Sequence, residues 1–120
     1  MMTMDELQAA VAARRDKWDD PEYCLAQVKK WSYALGYVRK QTPEICLAAV
    51  TKNGEVLRHV HEQTPTICLA AVNTDWGALQ YVKNQTPEIC LAAVNRNRNA
   101  LRYVRSDVFK TTTEETKGAK

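Results

Sequence analysis

The apolar and polar positions of this chain repeat with a period of 22 residues. One copy opens on Asp20-Pro21-Glu22-Tyr23-Cys24-Leu25-Ala26-Gln27-Val28, the next on Thr42-Pro43-Glu44-Ile45-Cys46-Leu47-Ala48-Ala49-Val50. Thr64-Pro65-Thr66-Ile67-Cys68-Leu69-Ala70-Ala71-Val72 and Thr86-Pro87-Glu88-Ile89-Cys90-Leu91-Ala92-Ala93-Val94 follow in register. Each copy closes on a second apolar block: Ala34-Leu35-Gly36-Tyr37-Val38, Val56-Leu57-Arg58-His59-Val60, Ala78-Leu79-Gln80-Tyr81-Val82 and Ala100-Leu101-Arg102-Tyr103-Val104.

The opening block predicts a helix with its start written in. Thr42, Thr64 and Thr86 suit an N-cap, with Asp20 in that role in the first copy, and the proline after each suits a position that needs no N–H. Glu22, Glu44 and Glu88 then fall in the first turn, where the helix dipole favours negative charge. The run Ile-Cys-Leu-Ala-Ala-Val is apolar all round, which predicts contact on several sides. The A-L-x-Y-V block puts apolar residues on one face of a second, short helix. Segments such as Thr51-Lys52-Asn53-Gly54 and Asn95-Arg96-Asn97-Arg98-Asn99 read as polar turns, with Gly54 and Gly77 as isolated turn residues.

A hairpin this short cannot cover its own apolar surface, so neighbours must stack. The expected fold is all-α: an α-solenoid of the right-handed type, with four two-helix repeats at 19–40, 41–62, 63–84 and 85–106. The first helices would form a buried inner row and the second an amphipathic outer row. Residues 3–18 predict a capping helix, with Thr3 and Glu6 as a capping box and Met4, Leu7, Val11 and Trp18 on the covering face. Residues 107–109 start a short C-terminal cap reaching residue 110, and the polar segment 111–120 reads as disordered.

Composition adds exclusions. Of the residues 45% are hydrophobic and 26% charged, and the net charge is +3, which is too small to identify a nucleic-acid binder. No basic start leads into an apolar run and no long apolar stretch occurs, so neither a secretion signal nor a membrane span is expected, and the location expected is cytoplasmic. Equivalent cysteines on stacked helices stand about 8–10 Å apart, too far for a disulfide, and no close Cys/His pair suggests zinc. Cys24, Cys46, Cys68 and Cys90 are expected as small core residues. His59 takes the place of Tyr37, Tyr81 and Tyr103, and neither it nor His61 has a companion for a catalytic dyad. No enzyme, metal or cofactor is expected.

The unit T-P-E-I-C-L-A-A-V … A-L-x-Y-V, over residues 20–106, resembles a short helical repeat family of unknown function. That family is found in bacterial, phage and large-virus proteins. The resemblance implies an all-helical fold and a phage or bacterial setting, and with the first a host-cell cytoplasm. It implies no activity. The first copy departs most, with Tyr23 for isoleucine, Gln27 for alanine, and Trp31 and Tyr33 in its turn.

Candidate contact residues are those that vary between copies. Pairs three apart in the second helix, Gly36/Arg39, Arg58/His61, Gln80/Lys83 and Arg102/Arg105, predict with Lys40, and with Glu62 counted against it, a basic ridge facing an acidic opposite edge of Asp19, Asp20, Glu22, Glu44 and Glu88. The turns add Trp31, Tyr33, Trp76, Arg96 and Arg98, and large aromatics and arginines dominate binding hot spots. The expected function is a non-enzymatic protein-binding module, working by occlusion as a small phage-type inhibitor of a larger host protein. Nucleic-acid binding along the ridge and self-association as a homodimer through the last repeat are the alternatives.

Overall fold

Each Thr-Pro or Asp-Pro pair starts a helix in the computed structural model, which describes residues 3–13 and 15–108, the side chains of 10–13, 15 and 16 excepted. Helices α2 (Pro21–Lys30), α3 (Pro43–Lys52), α4 (Pro65–Thr74) and α5 (Pro87–Arg96) are each 10 residues long. Thr42, Thr64 and Thr86 accept the N–H of Ile45, Ile67 and Ile89 at 3.2–3.3 Å, and Asp20 accepts that of Glu22 at 3.0 Å. A cap of this kind contributes about 1 kcal/mol.

The second element of every copy is a 3₁₀-helix. These are η2 (Ser32–Tyr37), η3 (Gly54–His59), η4 (Trp76–Tyr81) and η5 (Arg98–Tyr103). At three residues per turn, side chains three apart eclipse one another. Leu57 therefore aligns with Val60 and Leu79 with Val82. Over five residues, A-L-x-Y-V fits this period as well as 3.6, so the pattern does not separate the two.

The polar turns shrink to one residue. Trp31, Asn53, Asp75 and Asn97 are each extended, with φ between −161° and −143°, and each ends an α-helix while starting a 3₁₀-helix. The side chains of Asn53, Asp75 and Asn97 accept the N–H two residues on, at 2.8–3.0 Å. Such short polar side chains favour this local bond. Trp31 has no side-chain cap.

Among the described residues no strand occurs, and consecutive repeats pack in series into an all-α solenoid 62 Å long. The α-helices and 3₁₀-helices share one core rather than forming a buried and an amphipathic row. Leu35, Leu57 and Leu79 on the 3₁₀ side are as fully buried as Ala49, Val50 and Val72 on the α side. The α-helices keep a solvent face, with Glu44 and Thr51 exposed and Ala48 half-buried, so their all-apolar appearance comes from alanine and not from contact all round.

The N-terminal segment divides into α1 (Met4–Ala13) and η1 (Arg15–Asp19). The Thr3–Glu6 capping box forms in both directions. The first repeat is covered by η1, whose buried Trp18 meets Tyr23 edge-on at 5.5 Å and Tyr37 at 6.1 Å. Leu7 is buried, whereas Met4 is 49% exposed and forms no part of a covering face. The Val11 side chain, Phe109, Lys110 and the segment 111–120 lie outside the described residues. Residues 106–108 form a helical turn, and Val108 packs against the core.

Candidate interaction surfaces

The stack has two edges. At one, an α-helix hands over to a 3₁₀-helix through a single residue. At the other, a linker of about five residues leads from each 3₁₀-helix to the next α-helix. The longer linker edge carries a feature absent from the sequence-based expectations. Gln41, Gln63 and Gln85 stand just before Thr42, Thr64 and Thr86 and tie successive linkers together.

Gln41 Nε2 donates to the His59 carbonyl at 2.8 Å and more loosely to that of Leu35, while Oε1 accepts the His61 N–H at 2.9 Å. Gln63 repeats this with Tyr81 and Lys83, and Gln85 with Tyr103 and Arg105. The buried thiols of Cys46, Cys68 and Cys90 donate to the same glutamine oxygens at 3.4–3.6 Å. Burial pushes these thiols up in pKa, in Cys90 against the pull of Arg105. The period of 22 was the signal that could have exposed the glutamines. In the first copy Asp19 holds the place and pairs with Arg39 at 3.1 Å, while the Cys24 thiol bonds the Trp18 carbonyl.

Between successive linkers lie shallow clefts of about 230, 130 and 310 Å³. His61, Lys83 and Arg105 stand exposed on their rims, with backbone N–H groups fixed by the glutamines. Arg105 also donates to the Lys83 carbonyl at 2.8 Å. The expected segregation of charge does not hold. The linker runs straight into the helix N-terminus, so Glu44 and Glu88 join Glu62 on this edge with the bases, and Arg39 bonds directly to Asp19, an acid assigned to the opposite edge.

The 3₁₀ face carries Arg58 and Arg102 in the open. Arg58 stands over the Tyr81 ring of the next repeat, 5.6 Å from its centroid, and approaches Glu55 at 3.9 Å. Tyr33, also on this face, donates its hydroxyl to Glu55 at 3.2 Å. Trp31 and Trp76 are half-buried against the core, and Trp76 packs on Tyr103 at 6.3 Å. Arg96 and Arg98 are exposed at the far corner of the last repeat. The ridge candidates thus divide between two surfaces, His61, Lys83 and Arg105 on the linker edge and Arg58 and Arg102 on the 3₁₀ face, with Trp31 and Trp76 packed against the core.

His59 has a pKa lowered by burial and then by Arg58, partly offset by Glu55, and its ring lies beside Gly36. The four cysteines are free and buried. Among the described residues no cluster of three or more His, Cys, Asp or Glu is placed to hold a metal, and no helix is long and apolar enough to cross a membrane. No family model matches the chain, and no curated protein or solved structure is significantly similar to it.

Proposed function

We propose that this chain is a non-enzymatic repeat module that binds a protein partner. The supporting observation is the way one rigid frame presents chemically different side chains. Position by position, Gly36, Arg58, Gln80 and Arg102 stand exposed on the 3₁₀ face. Arg39, His61, Lys83 and Arg105 stand exposed on the adjoining linker edge. The backbone under His61, Lys83 and Arg105 is held by the glutamine amides. A backbone held this way needs no further ordering on binding, which favours affinity. The arginines and lysines here, interspersed with Glu44, Glu62 and Glu88, suit a protein surface that carries both signs of charge.

Glu44, Glu62 and Glu88 along the same edge count against a phosphodiester backbone as the ligand, since they would face its charges. Occlusion of a larger host protein, as by a small phage-type inhibitor, is the mode we favour for a rigid binder. The test is affinity capture from the native host with wild-type chain and with the Arg58→Glu, Lys83→Glu double variant. Loss of the captured protein, with circular dichroism unchanged, supports the reading. Unchanged capture removes these two faces as the contact surface.

A further inference from the structure

At the C-terminal end of the stack, the fourth repeat presents the side that its predecessors keep covered. Leu35, Leu57 and Leu79 are fully buried, whereas Leu101 at the same register position is 54% exposed. Leu91 is 49% exposed where Leu25, Leu47 and Leu69 are half-buried. Val94 and Val104 likewise lack the full burial of Val72 and Val82.

The earlier repeats show what such a side receives. Gly54, the first residue of η3, lies against the C-terminal end of the following helix α4. A methyl group built on it would stand 2.2 Å from the Ala71 carbonyl oxygen and 2.9 Å from the Asp75 Cβ. Arg58 stands over the Tyr81 ring of that same following repeat. In the fourth repeat these two register positions hold Arg98 and Arg102, both exposed. The apolar patch is therefore bordered by one guanidinium where a helix C-terminus would arrive and another where an aromatic ring would arrive.

The continuation of the chain does not match the side it follows. A fifth helix in register would span 109–118, and it would set Thr111, Thr112 and Glu115 at the positions of the buried Ile89, Cys90 and Ala93. Symmetric pairing of two copies through this side would gather Arg98 and Arg102 of both copies around one interface, and that concentration of like charge opposes association.

The geometry points to a helix-docking site: the open side of the fourth repeat receives an amphipathic helix of a partner protein, one that carries a carboxylate at its C-terminal end opposite Arg98. The helix would cover Leu91 and Leu101 with its apolar face. A cation at a helix C-terminus is favoured by the dipole, and a guanidinium–carboxylate bond adds direction. This site goes beyond the binding reading above and stands mainly on other residues.

The probe is a labelled peptide with the sequence of residues 63–82, because Ile67, Ala71 and Val72 would cover the patch, Asp75 would meet Arg98 and Tyr81 would meet Arg102. With the full chain, saturable binding is expected by fluorescence anisotropy. It should weaken about tenfold with Arg98→Glu and fall with added salt. It should vanish with Leu101→Glu. A peptide carrying Asp75→Lys should lose binding to the wild type and regain it with the Arg98→Glu chain.

Leu101→Glu should lower the melting temperature of the free chain far less than a core substitution does, since the side chain is 54% exposed. A fall of the size seen for core substitutions would mean that the side is filled from within the chain, and would overturn the proposal. No peptide binding, or binding indifferent to Leu101→Glu, overturns it as well. So does a dimer in sedimentation that Leu101→Glu dissolves, which would make the occupant a second copy. Host-protein capture lost on Arg58→Glu, Lys83→Glu while peptide binding persists separates this site from the faces proposed above.

Discussion

The side-chain amide of Gln63 donates to the Tyr81 carbonyl at 2.8 Å, and its oxygen accepts the N–H of Lys83 at 2.9 Å. One side chain thus satisfies two main-chain groups of the next repeat, in a linker that has neither a strand nor a helix to do so. A half-buried backbone group left without a partner costs about 1–3 kcal/mol. Gln63→Leu keeps most of the volume and removes both bonds, so it should lower the free energy of unfolding by about 2 kcal/mol. Urea denaturation measures this. A loss below roughly 0.5 kcal/mol would show that water replaces the amide without penalty.

Gly54 makes the closest inter-repeat approach seen at any described glycine. The atom that an added methyl would meet is the Ala71 carbonyl oxygen, part of a helix backbone that cannot swing aside. Elsewhere Gly→Ala commonly stabilises by restricting the unfolded chain. Here overpacking reverses the sign, and Gly54→Ala should destabilise by about 1–3 kcal/mol. Gly77→Ala is the control, because its added methyl would meet only the Asp75 Oδ1 at 3.3 Å. Thermal unfolding of both variants should separate them clearly, with Gly54→Ala the lower.

Helix starts and the all-α class were legible because each depends on residues within one copy. The Thr-Pro caps and the apolar runs are local signals. The 3₁₀ period was not legible, since Ala34-Leu35-Gly36-Tyr37-Val38 is too short to separate 3.0 from 3.6 residues per turn. Gln41, Gln63 and Gln85 were overlooked because an amide between a charged linker and a cap threonine resembles solvated loop, although its recurrence was on view. The charge segregation failed for a geometric reason. Arg39 and Glu44 lie on one linker edge, because the second element runs back to where the next helix begins. Gly54 looked like a turn residue until the neighbouring helix was placed against it.

Trp76 is a packing residue in this arrangement and not a free contact. Its ring is half-buried and tilted against Tyr103 of the last repeat at 6.3 Å. Trp76→Ala should therefore cost about 2–3 kcal/mol, somewhat below a fully buried tryptophan. Trp76→Phe, which keeps an aromatic contact, should recover more than half of that. Partner capture by the Phe variant should match the wild type. A binding loss without a stability loss would return Trp76 to the contact surface.

His59 gives the stability a direction with pH. Burial and the neighbouring Arg58 hold its pKa below the ordinary 6.5, so the folded chain resists a proton that the unfolded chain accepts. Well above pH 6.5 both states are neutral there and nothing changes. As the pH falls through 6.5 the unfolded state gains protons first, and stability drops until the folded-state value is passed. His59→Tyr installs the residue that Tyr37, Tyr81 and Tyr103 supply in the other copies and removes this term. The melting temperatures of the two proteins should keep a constant difference above about pH 7 and diverge in favour of the variant below about pH 6.5. A constant difference down to pH 5 would rule the mechanism out.

Thiol labelling reads the stack from its ends inward. The thiolate is the reactive form, and burial raises the pKa of Cys46 and Cys68 while their sulfurs face the glutamine oxygens and not solvent. In Cys24, burial is reinforced by Asp20 and Asp19, whose charges further oppose a thiolate. In Cys90, Arg105 works the other way, and the repeat that holds it has no following repeat packed against it among the described residues. A repeat with one neighbour opens more readily than one with two. With a disulfide reagent at pH 8, Cys90 should react first, Cys24 later, and Cys46 and Cys68 last, all four becoming equally fast in denaturant. Mass spectrometry of partly labelled protein gives the order. Early labelling of Cys46 or Cys68 would mean that the centre of the stack opens before its ends, which an array stabilised by nearest-neighbour contacts does not permit.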